Sequence, residues 1–321
     1  MRSAGSTVAK RYRAAATLLL ALAGCASSPQ FDQLMDARDG GGIGYSASRE
    51  LEQVAFYPQS AYQCGPAALA TLLTTAGRDV KPDDLVDAVY VPAKQGSLQV
   101  EMLAAARQQQ VIPIMVEPRL EALLAAVDAG SPVLVMQNLG VDLIPRWHYA
   151  VVVGYDLEAG DIVLRSGETR RRVSSLRVFE RTWQRSDYWG FVALPPGELP
   201  TFIPQQRYLV ALADFLQQGE AEAAVAAAQA GVRRWPANVP LQMMLAEAYA
   251  AASAAQAAVS VYRDILLQDE RYAPAHNNLA MLLFRQGQRQ EALVHARRAV
   301  ALGGRHAAEY QRTLEQVSGR R

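Results

Sequence analysis

The chain contains two cysteines, and one of them occupies a position at which a thiol could act as a nucleophile. Cys64 stands in the stretch YQCGPAALATLL, directly before Gly-Pro and an alanine-rich segment that predicts a helix. A helix N-terminus presents unpaired amide N–H groups and the positive end of the helix dipole, and both stabilise a thiolate over a thiol. The alternative is a buried, inert cysteine that only fills space. The position at a helix start favours the nucleophile.

A nucleophilic cysteine needs a base and a site for the oxyanion. Between Cys64 and residue 194 the only histidine is His148, which opens the apolar run HYAVVVGYD. An imidazole beside the sulfur would take the thiol proton and later protonate the leaving amine. Gln59 could donate a side-chain amide hydrogen to the oxyanion, together with the backbone N–H of Cys64. Gln63 is the competing donor.

The other cysteine, Cys25, ends a segment that predicts export. Residues 1–13 carry basic side chains and no acidic one, and the apolar run AAATLLLALAG follows. This run is too short for a permanent membrane span and is typical of a signal peptide. The sequence LAGC resembles the lipobox of bacterial lipoproteins. The resemblance implies a signal peptide over 1–24, a lipid on Cys25 and a membrane-anchored protein, located in the outer membrane and facing the periplasm. The alternative is an ordinary secretory signal.

Composition limits the other classes of function. The chain has 321 residues, enough for two domains, and a net charge of +1, which does not indicate a nucleic-acid surface. If Cys25 carries lipid, Cys64 is a single exported thiol, and such a thiol is either reactive or intermolecular. No histidine pair has metal-ligand spacing, so we predict neither a metal nor another cofactor. We expect the remaining histidines to be solvated or groove-lining: His276, His295 and His306.

The helix and strand patterns around Cys64 and His148 predict an α+β domain over residues 51–194. Helix patterns come first and strand patterns, joined by short turns, come later, which favours a largely antiparallel sheet. The predicted helices are 64–76, one that opens at Pro82, 98–110, 120–129 and 175–183. The predicted strands are 111–116, 132–137, 148–156, 161–166, 170–174 and 190–194. We interpret 25–50 as a flexible tether and the proline-rich 195–204 as a stiff linker.

The C-terminal region, 205–321, contains an alanine-rich helical repeat with a period of 34 residues. Ala211, Leu245 and Leu279 share one position of the repeat, and four further positions follow the same step. A period of 34 is that of tetratricopeptide repeats. The third copy, NNLAMLLFRQGQRQEALVHARRAVAL, resembles that family. The resemblance implies an all-α domain of three repeats and a capping helix, with a concave face that binds a protein partner. The alternative is an unrelated helical bundle.

The two motifs around the candidate nucleophile and base resemble one peptidase family. YPQSAYQCGPAALATLL and WHYAVVVGYD are similar to the C39-like cysteine peptidases of the papain-like superfamily, over residues 51–194. The resemblance implies a papain-like α+β fold and hydrolysis of peptide bonds in a peptide or protein substrate. It also implies that Cys64 is the nucleophile, His148 the general base and acid, and Gln59 the oxyanion donor.

The chain departs from the family pattern at the third catalytic position. The family has Asp or Asn on the strand after the histidine strand, whereas the matching stretch here is VLRSGE, with Arg165 and Ser166. A serine oxygen can accept a hydrogen bond from the imidazole, but it carries no charge that would stabilise imidazolium. Ser166 is therefore a candidate orienter only. The acidic residues nearby in sequence do not occupy the matching position: Asp156, Asp161 and Glu168.

Two other interpretations remain open. The first is a papain-like amidase that acts on cell-wall peptides, although such enzymes usually carry Asp-Cys-Ser-Gly where this chain has Gln63-Cys64-Gly65-Pro66. The second is a catalytically impaired peptidase fold that, with the repeats, serves as a scaffold for peptide or protein binding. The missing acid favours the scaffold, and the retained Cys64 and His148 favour an enzyme.

Overall fold

The computed structural model describes residues 28–42, 44–58 and 64–319. Within these ranges, no helix combines the length and the apolar character needed to cross a membrane.

The described residues form two compact units. The first contains residues up to 102 together with 115–192, and the second contains 103–114 together with the residues from 193 onward. The grouping of 103–114 with the C-terminal residues differs from the predicted domain boundary at residue 194.

The chain up to residue 194 is α+β, as predicted. Its helices are α1 (Pro29–Asp39), α2 (Cys64–Thr75), α3 (Pro82–Val89), α4 (Gln99–Gln108), α5 (Leu120–Asp128) and α6 (Leu176–Gln184). Its strands are β1 (Ser48–Glu50), β2 (Tyr90–Val91), β3 (Gly96–Ser97), β4 (Ile112–Met115), β5 (Val133–Asn138), β6 (Trp147–Asp156), β7 (Asp161–Ser166), β8 (Thr169–Ser175) and β9 (Gly190–Leu194).

Strand β6 is the long central strand of the sheet in the first unit. The order β9-β5-β6-β7-β8 is antiparallel throughout, and β1 pairs with the last three residues of β6. Gly154 is needed where β1 meets β6, because a Cβ there would lie 2.7 Å from the backbone oxygen of Arg49. The register places His148 near the start of β6, opposite Gln137 of β5.

Helix α2 is the buried helix that carries Cys64 at its first position. It packs against β6, and every residue from Gly65 to Leu73 is buried. A helix that is apolar on all sides is stable only inside the protein. Cys64 itself stays partly exposed. The packing therefore fixes the position of the thiol while leaving it accessible.

The segment 25–50, predicted as a flexible tether, is folded in its described part, and that prediction is wrong there. It contains α1 and β1. The backbone N–H groups of Gln30 and Phe31 donate to the fully buried carboxylate of Glu180, at 2.9 and 2.8 Å. A carboxylate at a helix N-terminus satisfies unpaired amides and complements the helix dipole. Leu34 is fully buried as well.

The C-terminal region is all-α, as predicted. Its described helices form three consecutive pairs and a last helix: α7 (Gln205–Leu216) and α8 (Ala221–Arg234), α9 (Val239–Ala251) and α10 (Ala255–Gln268), α11 (Ala273–Arg285) and α12 (Arg289–Leu302), then α13 (Ala307–Ser318).

The sequence period coincides with these helix pairs. Three alanines spaced by 34 residues lie in α8, α10 and α12 and are all at most 3% exposed: Ala224, Ala258 and Ala292. Small buried side chains at equivalent positions let successive helices approach closely. The period in the sequence therefore reflects equivalent packing positions in successive pairs.

Candidate active site

The residue after Cys64 is glycine for a steric reason. A Cβ on Gly65 would overlap Oγ of Ser97 and would lie 2.5 Å from its Cβ, which side chains do not tolerate. Strand β3 therefore passes directly against the first turn of α2. This contact fixes the part of the helix that carries the thiol.

His148 is held by the residue that sequence analysis named as a candidate orienter. Nε2 of His148 lies 2.8 Å from Oγ of Ser166, on the neighbouring strand β7. When Nε2 carries the hydrogen and donates it to Ser166, the other ring nitrogen, Nδ1, has a free lone pair. The ring then presents a base to the cavity.

The surroundings of His148 favour its neutral form. Burial, followed by the positive charge of Arg172 on β8, lowers the pKa of His148 from its ordinary value to about 4. Ser166, which is 3% exposed, adds no negative charge to offset these effects. The imidazole is therefore uncharged at neutral pH.

Cys64 and His148 line one cavity of about 1000 Å³. They come from α2 and β6, which are far apart in sequence. Glu168 lines the same cavity, whereas Asp156 accepts hydrogen bonds from the backbone of its own turn, at Glu158 and Ala159. Within the described ranges, none of these acids is hydrogen-bonded to His148.

Arg165, the other residue at the third catalytic position, has a structural role. Its guanidinium donates to the backbone oxygens of Arg170 at 2.8 Å and Val54 at 3.3 Å. The side chain is only 4% exposed, and burial lowers the pKa of this guanidinium. These hydrogen bonds join β7 to the segment before α2. Among the described contacts, Arg165 makes no hydrogen bond to the imidazole of His148.

Two residues in the cavity were missed by the sequence analysis. Ser97 lines it, and its Oγ is buried without a hydrogen-bond partner among the described residues. Tyr149 donates its hydroxyl hydrogen to the backbone oxygen of Ser97, at 3.1 Å. Burial and then the nearby Cys64 raise the pKa of Tyr149. The one sequence signal was Gly65, since a glycine inside a helical pattern indicates a close neighbour.

Three residues of the sequence analysis lie outside the described residues. Gln59 and Gln63, the competing oxyanion donors, fall in the gap before α2, and the predicted lipidation site Cys25 falls before residue 28. Their roles stay predictions.

His276 in the repeat region differs from the expectation of a solvated or groove-lining side chain, because it is buried. His276 is 8% exposed, and its Nδ1 lies 2.8 Å from Nδ1 of His295. His276 also contacts the backbone oxygen of Glu270 through Nε2, at 3.0 Å. The two imidazoles contact each other between α11 and α12, whereas His306 is exposed as expected. Among the described residues, no group of three or more possible ligands could hold a metal ion.

Comparison with known proteins gives one family match. A solved structure from Bacillus anthracis described as a C39-like peptidase shares 17% identity and a TM-score of 0.39, covering 45% of this chain and 97% of that one. A likeness at this level carries no functional argument. No curated protein matches the chain. The model of the Peptidase_C39-like family matches residues 51–189, the part that holds Cys64 and His148. Over these residues the chain is similar to the C39-like peptidase family.

Proposed function

We propose that the protein is a cysteine peptidase in which Cys64 is the nucleophile and His148 the general base and acid. The observation that carries this proposal is the shared cavity: a partly exposed thiol at a helix start and an imidazole oriented by Ser166 open into the same space. The family match over 51–189 supports a peptide or protein as substrate.

In the proposed reaction, the free ring nitrogen of His148, Nδ1, carries out the proton transfers. Nδ1 of His148 takes the proton of the Cys64 thiol as the sulfur attacks the peptide carbonyl carbon. Backbone N–H groups at the start of α2, with the side-chain amide of Gln59, stabilise the oxyanion. Collapse breaks the C–N bond, and Nδ1–H protonates the leaving amine. Water, deprotonated by His148, then attacks the thioester carbonyl carbon. The C–S bond breaks, the acid is released, and the sulfur recovers its proton from Nδ1–H of His148.

In this proposal the imidazole of His148 is neutral at rest. Burial and Arg172 disfavour imidazolium, and Ser166 supplies no compensating carboxylate. His148 therefore acts as a base while the sulfur attacks. Ser166 keeps the ring in position and selects its tautomer.

The proposal also includes a membrane anchor and a binding role for the repeats. Cys25 is the lipidated residue of an outer-membrane lipoprotein facing the periplasm, as the LAGC sequence favours. The helix pairs from 205 onward are three tetratricopeptide repeats with α13 as the cap. A cavity of about 630 Å³ among these helices has Arg285, Arg312 and Asn277 in its lining. These polar side chains suit a protein partner.

A scaffold without hydrolytic activity is the second candidate. The uncharged Ser166 and the lowered pKa of His148 favour it, because both weaken the stabilisation of an imidazolium that forms during the reaction.

A cleavage assay with variants of Cys64 and His148 distinguishes the peptidase hypothesis from the scaffold hypothesis. The protein is incubated with a complex peptide mixture, and new termini are identified by mass spectrometry. We expect new termini with the wild type and none with Cys64→Ala or His148→Ala. Equal cleavage by the wild type and Cys64→Ala, or none by either protein, would reject the proposed function.

A further inference from the structure

Exposed apolar side chains are concentrated in two segments that each contribute residues to the lining of the candidate active site. Of the twelve large hydrophobic residues exposed in the described part of the chain, seven lie in the two segments 98–100 and 139–147. We name these seven residues the apolar rim: Leu98, Val100, Leu139, Val141, Leu143, Ile144 and Trp147. Leu98 and Trp147 also line the cavity of Cys64 and His148. Both segments of the rim therefore have one end at the candidate site.

The most exposed part of the rim is the tip of the β5–β6 hairpin. Leu143 is 89% exposed and Ile144 is 69% exposed. The N–H of Ile144 donates to the backbone oxygen of Val141, at 3.0 Å, which closes a tight turn. The tip is thus a folded turn with apolar side chains directed to solvent.

The base of this hairpin is fixed by buried polar contacts. Oδ1 of Asn138, a residue 1% exposed, accepts hydrogen bonds from the backbone N–H groups of Gly140 and Arg146 at 3.0 and 2.9 Å. Arg185 donates to the backbone oxygen of Gly140, at 2.7 Å. A rigid hairpin loses little conformational entropy when it binds, so its apolar tip is preorganised for a ligand.

From this arrangement we infer that the apolar rim is the substrate-binding surface of the proposed peptidase, and that it binds an extended peptide segment bearing large apolar side chains. The inference rests on the proposed function for its link to hydrolysis. Burial of leucine-sized side chains against the rim removes apolar area from water on both partners. The bound segment would cross the cavity mouth beside Cys64.

An apolar hairpin tip could also bind a lipid surface, but Asp142 disfavours insertion of this tip into a membrane. Asp142 is exposed at the corner of the turn, between Val141 and Leu143. Insertion of the tip into a bilayer would bury this carboxylate at a high cost in free energy. A peptide can cover the neighbouring apolar side chains and leave Asp142 in water.

Peptide binding to the Cys64→Ala full-length protein tests the inference without turnover. Two short fluorescein-labelled peptides alternate serine with either leucine or asparagine, and binding is measured by fluorescence anisotropy. We expect the leucine peptide to bind about tenfold more tightly than the asparagine peptide. The double change Leu143→Ser and Ile144→Ser should remove this preference.

A matched control uses an apolar residue outside the rim. Leu267, in the repeat region, is 85% exposed, and Leu267→Ser should keep the preference. Circular dichroism checks that each variant is folded. Equal binding of the two peptides, binding of neither, or equal loss in the rim and control variants would overturn the inference.

Two further outcomes would also overturn it. One is rim-dependent sedimentation with phosphatidylcholine vesicles, combined with no preference between the peptides, which would assign the rim to a membrane. The other is a rim-dependent dimer in solution with no such preference. Because binding is measured in a variant without the nucleophile, absence of hydrolysis in the wild type would refute the proposed function separately.

Discussion

At the start of α2, Gly65 and Ser97 compete for the same space. The hydroxyl of Ser97 occupies the place of a Cβ on residue 65, and it has no hydrogen-bond partner among the described residues. The site therefore combines a steric requirement for glycine with a buried hydroxyl on a residue that lines the cavity. Neither feature depends on the reaction, so both can be tested by stability alone.

We predict that the effect of Gly65→Ala on the free energy of unfolding depends on residue 97, and that its sign reverses when Ser97 is replaced by glycine. In the wild type, the added methyl collides with Ser97, and unfolding should require about 1–3 kcal/mol less free energy. In a Ser97→Gly background the collision is absent, and the helix propensity of alanine should stabilise by up to about 1 kcal/mol. Urea denaturation of the wild type, the two single variants and the double variant measures the coupling energy between positions 65 and 97. Additive effects would contradict this contact.

The charge state of His148 gives a prediction on pH. Its pKa in the folded protein is about 4, below the unfolded value of about 6.5, so only the unfolded state binds a proton between these values. Stability should therefore fall as pH is lowered through this window, by on the order of 3 kcal/mol from this group alone.

The control for this prediction is His148→Gln, which removes the titration and keeps a polar side chain. Urea denaturation at pH 7 and pH 4 should show a smaller acid-induced loss of stability in the variant than in the wild type. If the two proteins lose stability equally, the pKa of His148 is not lowered by its surroundings.

At the scale of elements, the strands and helices near the site follow the sequence closely because their apolar patterns are strong. Strand Asp161–Ser166 was predicted with the observed bounds, and the predicted helix 64–76 is observed as Cys64–Thr75. Ser166, which lies 2.8 Å from Nε2 of His148, was a candidate because it stands at the position where the C39-like pattern has Asp or Asn.

The elements and contacts that the sequence did not predict depend mostly on segments that are remote from each other in sequence. Helix α1 depends on Glu180, about 150 residues away, whose carboxylate accepts hydrogen bonds from its first turn. Local composition, rich in glycine and polar residues, gave no sign of this partner. Ser97 was missed because nothing in its own sequence neighbourhood indicates Gly65. The apolar rim was hidden because a hydrophobic residue is usually expected to be buried.

The repeat region offers a prediction on one turn. Ser253 has a φ of 59°, and the equivalent residue in the next repeat, Gly287, has a φ of 80°. A left-handed backbone is unfavourable for a residue with a Cβ and natural for glycine. Ser253→Gly should therefore stabilise the protein by about 0.5–1 kcal/mol in urea denaturation, whereas Ser253→Ala should not. Destabilisation by the glycine would argue against this backbone conformation.

At the scale of the whole molecule, the proposed account joins an anchor, a peptidase domain and a repeat region in one chain. Membrane attachment would keep the peptidase at a surface, and the repeats would recruit a partner or substrate to it. The anchor rests on sequence, since Cys25 precedes the described residues.

Cell fractionation tests the anchor. We expect the wild type in the membrane fraction and Cys25→Ser in the soluble fraction, because one residue carries the lipid. Mass spectrometry of the mature N-terminus should find a lipidated Cys25. A wild-type protein that is soluble and begins with an unmodified residue would refute the anchor and leave the peptidase proposal standing.

The central claim, that His148 activates Cys64, is tested most directly by the rate of thiol alkylation. Iodoacetamide labelling of the wild type and His148→Ala is followed by intact-mass spectrometry from pH 5 to pH 9, a range in which His148 is neutral. We predict that wild-type Cys64 reacts about tenfold or more faster than a free cysteine at neutral pH, and that His148→Ala loses this advantage. Labelling of both proteins at the rate and with the pH dependence of an ordinary thiol would contradict the account.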